Sequence, residues 1–298
     1  MSRQVQGYVY LALAMLTVGS TVIASKLIAS GLPPFSATAL RFAIAFPVLL
    51  LLMWATGARL PRFSRHDRLI LVIQAGAGSV GYTTLLISGL SLTSAADAGV
   101  IIGTLPVVSA AISILLLRER PQRALLLAVA LATAGVLSIA FTPDAAGGAL
   151  SGNALIFLAV VCEGLFILLN KRLKTEIAPL AQSTLMAGIG FIVAAIPAIF
   201  EVPFADGISA SAVAAVVYYA LVPTVGGFLL WYAGAERVSG TEAALFTALA
   251  PVSAVMLAFI ILGEPVGLSQ IAGIACVLAA VLGLAFAGSR SVKLAGGR

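Results

Sequence analysis

The chain repeats itself. Sliding the sequence by 145 residues lays Ser94 on Ser239, Pro106 on Pro251, Val107 on Val252, Glu119 on Glu264, Ala134 on Ala279 and Phe141 on Phe286 without a gap. The same shift carries Gly7 onto Gly152, Lys26 onto Lys171, Pro34 onto Pro179, Gly81 onto Gly226 and Gly89 onto Gly234. The sequence is therefore an internal duplication, divided as 1–145 and 146–298. Each copy reads as five apolar helices. Five is odd, so the second copy must cross a membrane in the opposite sense to the first, the inverted-repeat plan of many transporters.

Composition agrees with burial in lipid. Of the 298 residues, 61% are hydrophobic and 9% charged, against about 25% charged in a soluble domain. Such a chain cannot cover a water-facing surface. The formal charge of +6 would suggest nucleic acid only until the charges are located, and none is expected as a partner. Cys162 and Cys276 lie in apolar segments without metal-ligand spacing and read as small buried hydrophobes. The N-terminus imitates a signal peptide, with Arg3 before an apolar run from Tyr8. That run is long for a signal h-region and reaches Ser25-Lys26 without an A-x-A site, so it is expected to stay as the first helix.

A spanning helix needs about 20 mainly apolar residues. Ten such stretches are predicted: Gly7–Ser25, Phe35–Trp54, Leu69–Leu90, Ser94–Leu117, Ala124–Phe141, Asn153–Asn170, Leu180–Phe200, Ala212–Tyr232, Thr241–Leu262 and Leu268–Ala287. Their connections are short, and no segment is left for a soluble domain. Of the 17 basic residues, all but Lys26 and Arg41 fall at one face of this arrangement. They are Arg3, then Arg59, Arg62, Arg65 and Arg68, then Arg118, Arg120 and Arg123, then Lys171, Arg172 and Lys174, then Arg237, and last Arg290, Lys293 and Arg298. Cytoplasmic loops carry the Lys/Arg excess, so both termini are expected in the cytoplasm. The arginines at 59–68 read as a topology signal on a solvated loop, with contact to anionic lipid headgroups as the alternative.

An ionisable group within a bilayer is costly and needs a reason. Glu163 sits near the middle of the sixth stretch. It reads as a proton carrier, as a partner for a substrate ammonium group, or as a hydrogen-bonded acid joining helices. Its repeat mate is Val18, so the duplication does not require an acid there. Arg41 can hold a carboxylate through bidentate hydrogen bonds, or snorkel, or pair with an acid such as Asp97. Lys26 and Lys171 read as snorkelling residues, or as a cationic rim on a central path. Ser94-Ala-Ala-Asp97 and Ser239-Gly-Thr-Glu242 are capping boxes. Glu119 and Glu264 sit in tight turns, where an acid favours the start of the helix that follows.

Polar-edged and aromatic residues suited to an amphipathic solute gather on a few helices. The first offers Thr17, Ser20 and Thr21, and the third offers Gln74, Ser79, Tyr82, Thr83 and Thr84. The sixth adds Phe166 and Asn170 to Glu163, and the eighth carries Tyr218, Tyr219, Phe228, Trp231 and Tyr232. Trp231 and Tyr232 read equally as interfacial belt residues. Pro106 and Pro251 fall mid-helix and are hinge candidates, with a static kink as the alternative; Pro47 and Pro223 are further candidates. Gly99-x-x-x-Gly103 is expected to pack within one monomer rather than across a dimer. There is no G-x-x-x-x-G-K-[ST] motif for intrinsic ATP drive, no His/Cys metal set, no cofactor site and no Ser/His/Asp grouping. The one histidine, His66, lies in the arginine loop.

In combination these residues resemble a known family. Ala250-Pro251-Val252-Ser253, followed thirteen residues on by Glu264 in Leu-Gly-Glu-Pro and by a helix with Gly273, is similar to the second EamA repeat. Leu105-Pro106 through Glu119 resembles the first, and Gly19 with Lys26, and Arg41-Phe42, look like family landmarks. Val18 departs from the Trp that many members place before the glycine. The resemblance spans essentially the whole chain. It implies the drug/metabolite transporter superfamily, an all-α membrane fold of ten helices in two inverted five-helix repeats around a central cavity. Within it the chain resembles YddG-type amino-acid exporters of the bacterial inner membrane. In that fold helices five and ten are scaffold and the others line the path. The expectation is a transporter, not an enzyme, exporting amino acids, aromatic ones among them, and related amphipathic solutes by alternating access. Sugars, nucleotide precursors or cationic drugs are alternative cargoes, and a membrane enzyme or lipid-handling protein is the alternative class.

Overall fold

A computed structural model describes residues 3–117, 123–140, 147–201, 208–235, 237–238, 246 and 249–295. The described chain is helical, with no strand among the described residues. In order, the helices are α1 (Arg3–Ala29), α2 (Pro34–Thr56), α3 (Arg65–Gln74), α4 (Tyr82–Leu90), α5 (Ala95–Ile102), α6 (Leu105–Leu117), α7 (Arg123–Ala140), α8 (Gly147–Lys171), α9 (Pro179–Ala198), α10 (Ala210–Tyr219), α11 (Gly227–Ala235), α12 (Leu249–Leu262) and α13 (Leu268–Ala295). Two π-helical segments, Ala75–Gly81 and Ala220–Gly226, join α3 to α4 and α10 to α11.

Six helical runs are long and apolar enough to cross a membrane: Arg3–Ala29, Pro34–Thr56, Arg65–Leu90, Leu150–Asn170, Pro179–Ala198 and Ala210–Trp231. Shorter apolar helices at Ala95–Ser109, Leu126–Leu137, Leu249–Leu262 and Leu268–Gly283 lie where the other four spans are predicted. The molecule has an apolar exterior and a largely apolar core that also holds buried polar side chains. Trp54 and Phe200 are each 81% exposed, while Thr38, Gln74 and Thr83 are essentially buried. That distribution suits a lipid solvent, where outward side chains need no water and interior hydroxyls bond within and between helices.

Local chemistry explains the helix ends. Pro34 and Pro179 begin α2 and α9, where a missing N–H costs no hydrogen bond. Ser64, Ser94 and Ser209 accept from the backbone N–H three residues on, at 3.1, 3.0 and 3.1 Å. Gly57 closes α2 with φ +68°, a left-handed cap that glycine adopts without strain.

The third and eighth predicted spans are not uninterrupted α-helices. Each contains a π-helical segment, and the two segments stand 145 residues apart. In the second, Pro223 has no N–H to donate to the carbonyl of Tyr219, and the Thr224 hydroxyl takes its place at 2.8 Å. The fourth predicted span is broken too. It turns at Gly103–Thr104, and Pro106 falls in the first turn of α6. The break precedes Pro106, so the mid-helix position expected of it is corrected. Pro251 lies in α12, and residues 247–248 before that helix lie outside the described residues. Ser239, Glu242 and Glu119 lie outside the described residues, as does the Lys171 side chain.

The same helix pairs recur at the 145-residue offset. α1 packs on α12 and α11, and α8 packs on α6 and α4; α2 packs on α9 and α7 on α13. Two glycines 145 residues apart allow the closest approaches. A Cβ on Gly19 would stand 1.8 Å from Ser253 Oγ and 2.8 Å from the Ala250 carbonyl of α12. A Cβ on Gly164 would stand 2.9 Å from the Ile112 methyl of α6. Gly99 and Gly103 face Ala254, Val255, Pro251 and Val277 of the same chain, so this pair packs within one molecule.

Several charged residues expected to act locally reach across the fold. The carboxylate of Glu264 accepts from the N–H groups of Ala95 and Ala96 at 3.1 and 3.0 Å, so it caps α5 rather than the helix that follows it. Glu201 serves Phe35 and Ser36 in the same way, at 2.8 and 2.6 Å. Lys26 also joins two helices. Its ammonium donates to the carbonyls of Leu90 and Thr93 at 2.8 and 2.6 Å, beyond the last turn of α4. Asp97 accepts from Gln270 at 2.8 Å and is not a partner of Arg41.

Candidate functional site

The site is built around Arg41, which α2 carries into the interior of the bundle. Its Nη1 donates to the Thr83 hydroxyl at 2.7 Å, and Thr83 passes its own proton to the Ser79 carbonyl at 2.9 Å. The guanidinium lies over the Tyr219 ring at 4.3 Å and the Phe42 ring at 4.4 Å. Two aromatic faces fix the plane of the fork and offset part of the cost of burying a cation. Its Nε–H is buried without a partner.

Tyr82 stands beside this cation, at the point where α4 leaves the first π-helical segment. It lies close to Thr21 of α1 and within electrostatic reach of Arg41, Tyr219 and Glu163. Glu163 comes from α8 and faces Arg41 without forming an ion pair. Its carboxylate has no hydrogen-bond partner among the described residues. Both Glu163 and Tyr82 are surrounded by protein yet keep accessible surface. Arg41, Tyr82, Thr83, Thr21, Tyr219 and Glu163 thus converge from five helices and from both copies of the repeat.

Ser20 adds a link between copies: the Tyr218 hydroxyl donates to Ser20 Oγ at 2.7 Å, and Ser20 donates to the Thr17 carbonyl at 2.6 Å. Thr17 bonds the Ala14 carbonyl and stands against Gly227, next to Phe228. Gln74 reaches the Phe166 carbonyl at 3.2 Å, leaving its own Oε1 buried and unpartnered, and Phe166 packs on Gly78 of the first π-helical segment.

Not every predicted residue joins this group. Asn170 lies at the end of α8, accepts from Gln182 and lines a separate cleft with Leu173, Thr175 and Glu176. Trp231 packs with Met15, Ala250 and Phe246 in an apolar cluster. The Tyr232 side chain lies outside the described residues. Tyr219, one of the aromatic residues of the eighth predicted span, joins the site; it stands 145 residues after Gln74, and both immediately precede a π-helical segment.

Comparison with known proteins agrees with this architecture. Residues 5–141 and 150–286 each match the model of the EamA-like transporter family. The chain is 36% identical over 285 residues to "Uncharacterized transporter YetK" of Bacillus subtilis (strain 168), covering 94% of this chain and 86% of that one. It is 28% identical over 255 residues to a Streptantibioticus cattleyicolor protein named "Probable terminal-alkyne amino-acid exporter", covering 84% of each. A solved crystal structure shares the fold, with a TM-score of 0.62 at 21% identity over 95% of this chain and 97% of that one. With both copies of the repeat matched, this multi-pass membrane protein belongs to the EamA-like transporter family.

Proposed function

We propose that this transporter exports amino acids, aromatic ones among them, and related amphipathic solutes across a bacterial inner membrane. It does so as ten helices in two five-helix halves of opposite orientation, 1–145 and 146–298, with both termini in the cytoplasm. The observation that carries the reading is the meeting of Arg41 and Glu163 beside Tyr82 and Tyr219, between helices of the two halves. A buried cation, a buried acid and aromatic walls are what an amino acid needs once its water is removed. The recurrence of helix pairs at the 145-residue offset supports two like halves that rock about a shared site. The Streptantibioticus relative, by its name, supports the cargo.

Counterflow tests the reading. Proteoliposomes holding the purified chain are loaded with one unlabelled amino acid, and labelled phenylalanine, threonine, glucose and uridine are offered outside. Accumulation of a labelled amino acid is expected. Exchange of glucose or uridine with no amino-acid exchange would overturn the cargo, and conversion of a solute into a new chemical species would overturn transport.

A further inference from the structure

We infer that Arg41 and Glu163 form a two-ended clamp for a zwitterion, with the substrate α-carboxylate on Arg41 and the α-ammonium on Glu163. This rests on the amino-acid reading above and adds to it the groups that a substrate must carry.

Arg41 is held in place but not saturated. Thr83 engages one part of the fork, and the Tyr219 and Phe42 rings at 4.3 and 4.4 Å fix its plane. The Nε–H stays buried and unpartnered. A buried N–H left unpaired costs free energy, and an arginine offering a free edge matches a carboxylate bidentately. Neither Thr83 nor Tyr219 brings a full negative charge.

Among the described residues the one acid within electrostatic reach of Arg41 is Glu163, and it forms no ion pair with it. Its carboxylate also lacks a hydrogen-bond partner among the described residues. Opposite charges in a water-poor interior would ordinarily pair, because isolated buried charges are expensive. Tyr82 lies within electrostatic reach of both. The arrangement leaves one positive and one negative group near each other with no ion pair between them among the described residues.

A zwitterion neutralises both ends at once. A ligand with only an ammonium leaves Arg41 uncompensated, and a ligand with only a carboxylate leaves Glu163 uncompensated. Leaving one member of a desolvated charge pair alone weakens binding by well over tenfold. The clamp therefore demands free α-amino and α-carboxyl groups on the same molecule and sets no strict demand on the side chain.

The test uses competition in counterflow with the full chain in proteoliposomes. Labelled phenylalanine exchange is challenged with unlabelled phenylalanine, phenylalaninamide and N-acetylphenylalanine. Both analogues are expected to compete at least about tenfold more weakly than phenylalanine. Glu163→Gln should narrow the gap for N-acetylphenylalanine and leave the amide's gap; Arg41→Gln should do the reverse. The wild-type comparison decides the matter even if Arg41→Gln fails to fold. Either analogue competing as well as phenylalanine, or both variants weakening all three ligands alike, would overturn the clamp while amino-acid transport stands. Exchange of another solute with no amino-acid exchange would remove the amino-acid reading and the clamp together.

Discussion

The hydroxyl of Thr224 donates to the carbonyl of Tyr219, five residues back, at 2.8 Å. Pro223 cannot make the bond that an α-helix would place there, and Thr224 supplies a substitute that holds the π-helical turn beneath Tyr219. The ring of Tyr219 lies 4.3 Å from the Arg41 guanidinium, so a backbone irregularity is coupled to the centre of the site.

Replacing Thr224 with Val should remove the side-chain bond to that carbonyl, at a cost of about 0.5–1.5 kcal/mol. Thr224→Ser should recover most of it. Thermal unfolding in detergent micelles measures the difference. Equal stability of the Val and Ser variants would show that the hydroxyl does not hold the turn.

The two close-approach glycines should differ in tolerance. A methyl on Gly19 meets backbone atoms of Ala250 and Ala254 at 2.8 and 2.9 Å, whereas on Gly164 it meets the movable end of Ile112 at 2.9 Å. Gly164→Ala should cost about 1–3 kcal/mol, and Gly19→Ala more than that. The yield of monodisperse protein and its unfolding temperature rank the two variants. Better tolerance at Gly19 would contradict the α1–α12 contact.

Glu264→Ala removes the acceptor for the N–H groups of Ala95 and Ala96, at 3.1 and 3.0 Å. Loss of a cap of this kind costs about 0.5–2 kcal/mol. Because the capped helix belongs to the other copy of the repeat, protection of amides in α5 should fall more than in α13, which follows Glu264 in sequence. Hydrogen exchange across α5 and α13 reads this directly. Greater loss in α13 would return Glu264 to a local role.

Orientation can be tested with single cysteines in a chain carrying Cys162→Ala and Cys276→Ala. Arg62 and Ser30 are both exposed, at loops on either side of α2. A thiol reagent that does not cross membranes should label Arg62→Cys only after the cytoplasmic face is opened, and Ser30→Cys in intact cells. The opposite pattern would invert the topology.

Much of this protein follows from its sequence. The 145-residue offset, the long apolar runs and the one-sided arginines set a membrane fold of paired helix groups, because periodicity and charge are properties of the chain read locally. The serine caps at 64 and 94 are local in the same sense, since the acceptor and the N–H it satisfies lie three residues apart. Arg41, Tyr82, Thr83 and Glu163 stand out for a related reason: polar groups in apolar helices need partners wherever the helices pack.

Tertiary packing decided which partners they find. Glu264 serves Ala95 and Ala96, and Lys26 serves Leu90 and Thr93, because the helix ends converge in space while lying far apart in the chain. No spacing rule reports such a meeting. The break at Gly103–Thr104 and the two π-helical turns likewise depend on neighbours: a run of apolar residues is compatible with several helical windings, and close packing selects among them. The same packing lays Tyr219 on Arg41 and leaves Glu163 facing that cation without touching it, so the charges were legible in the sequence but their separation was not.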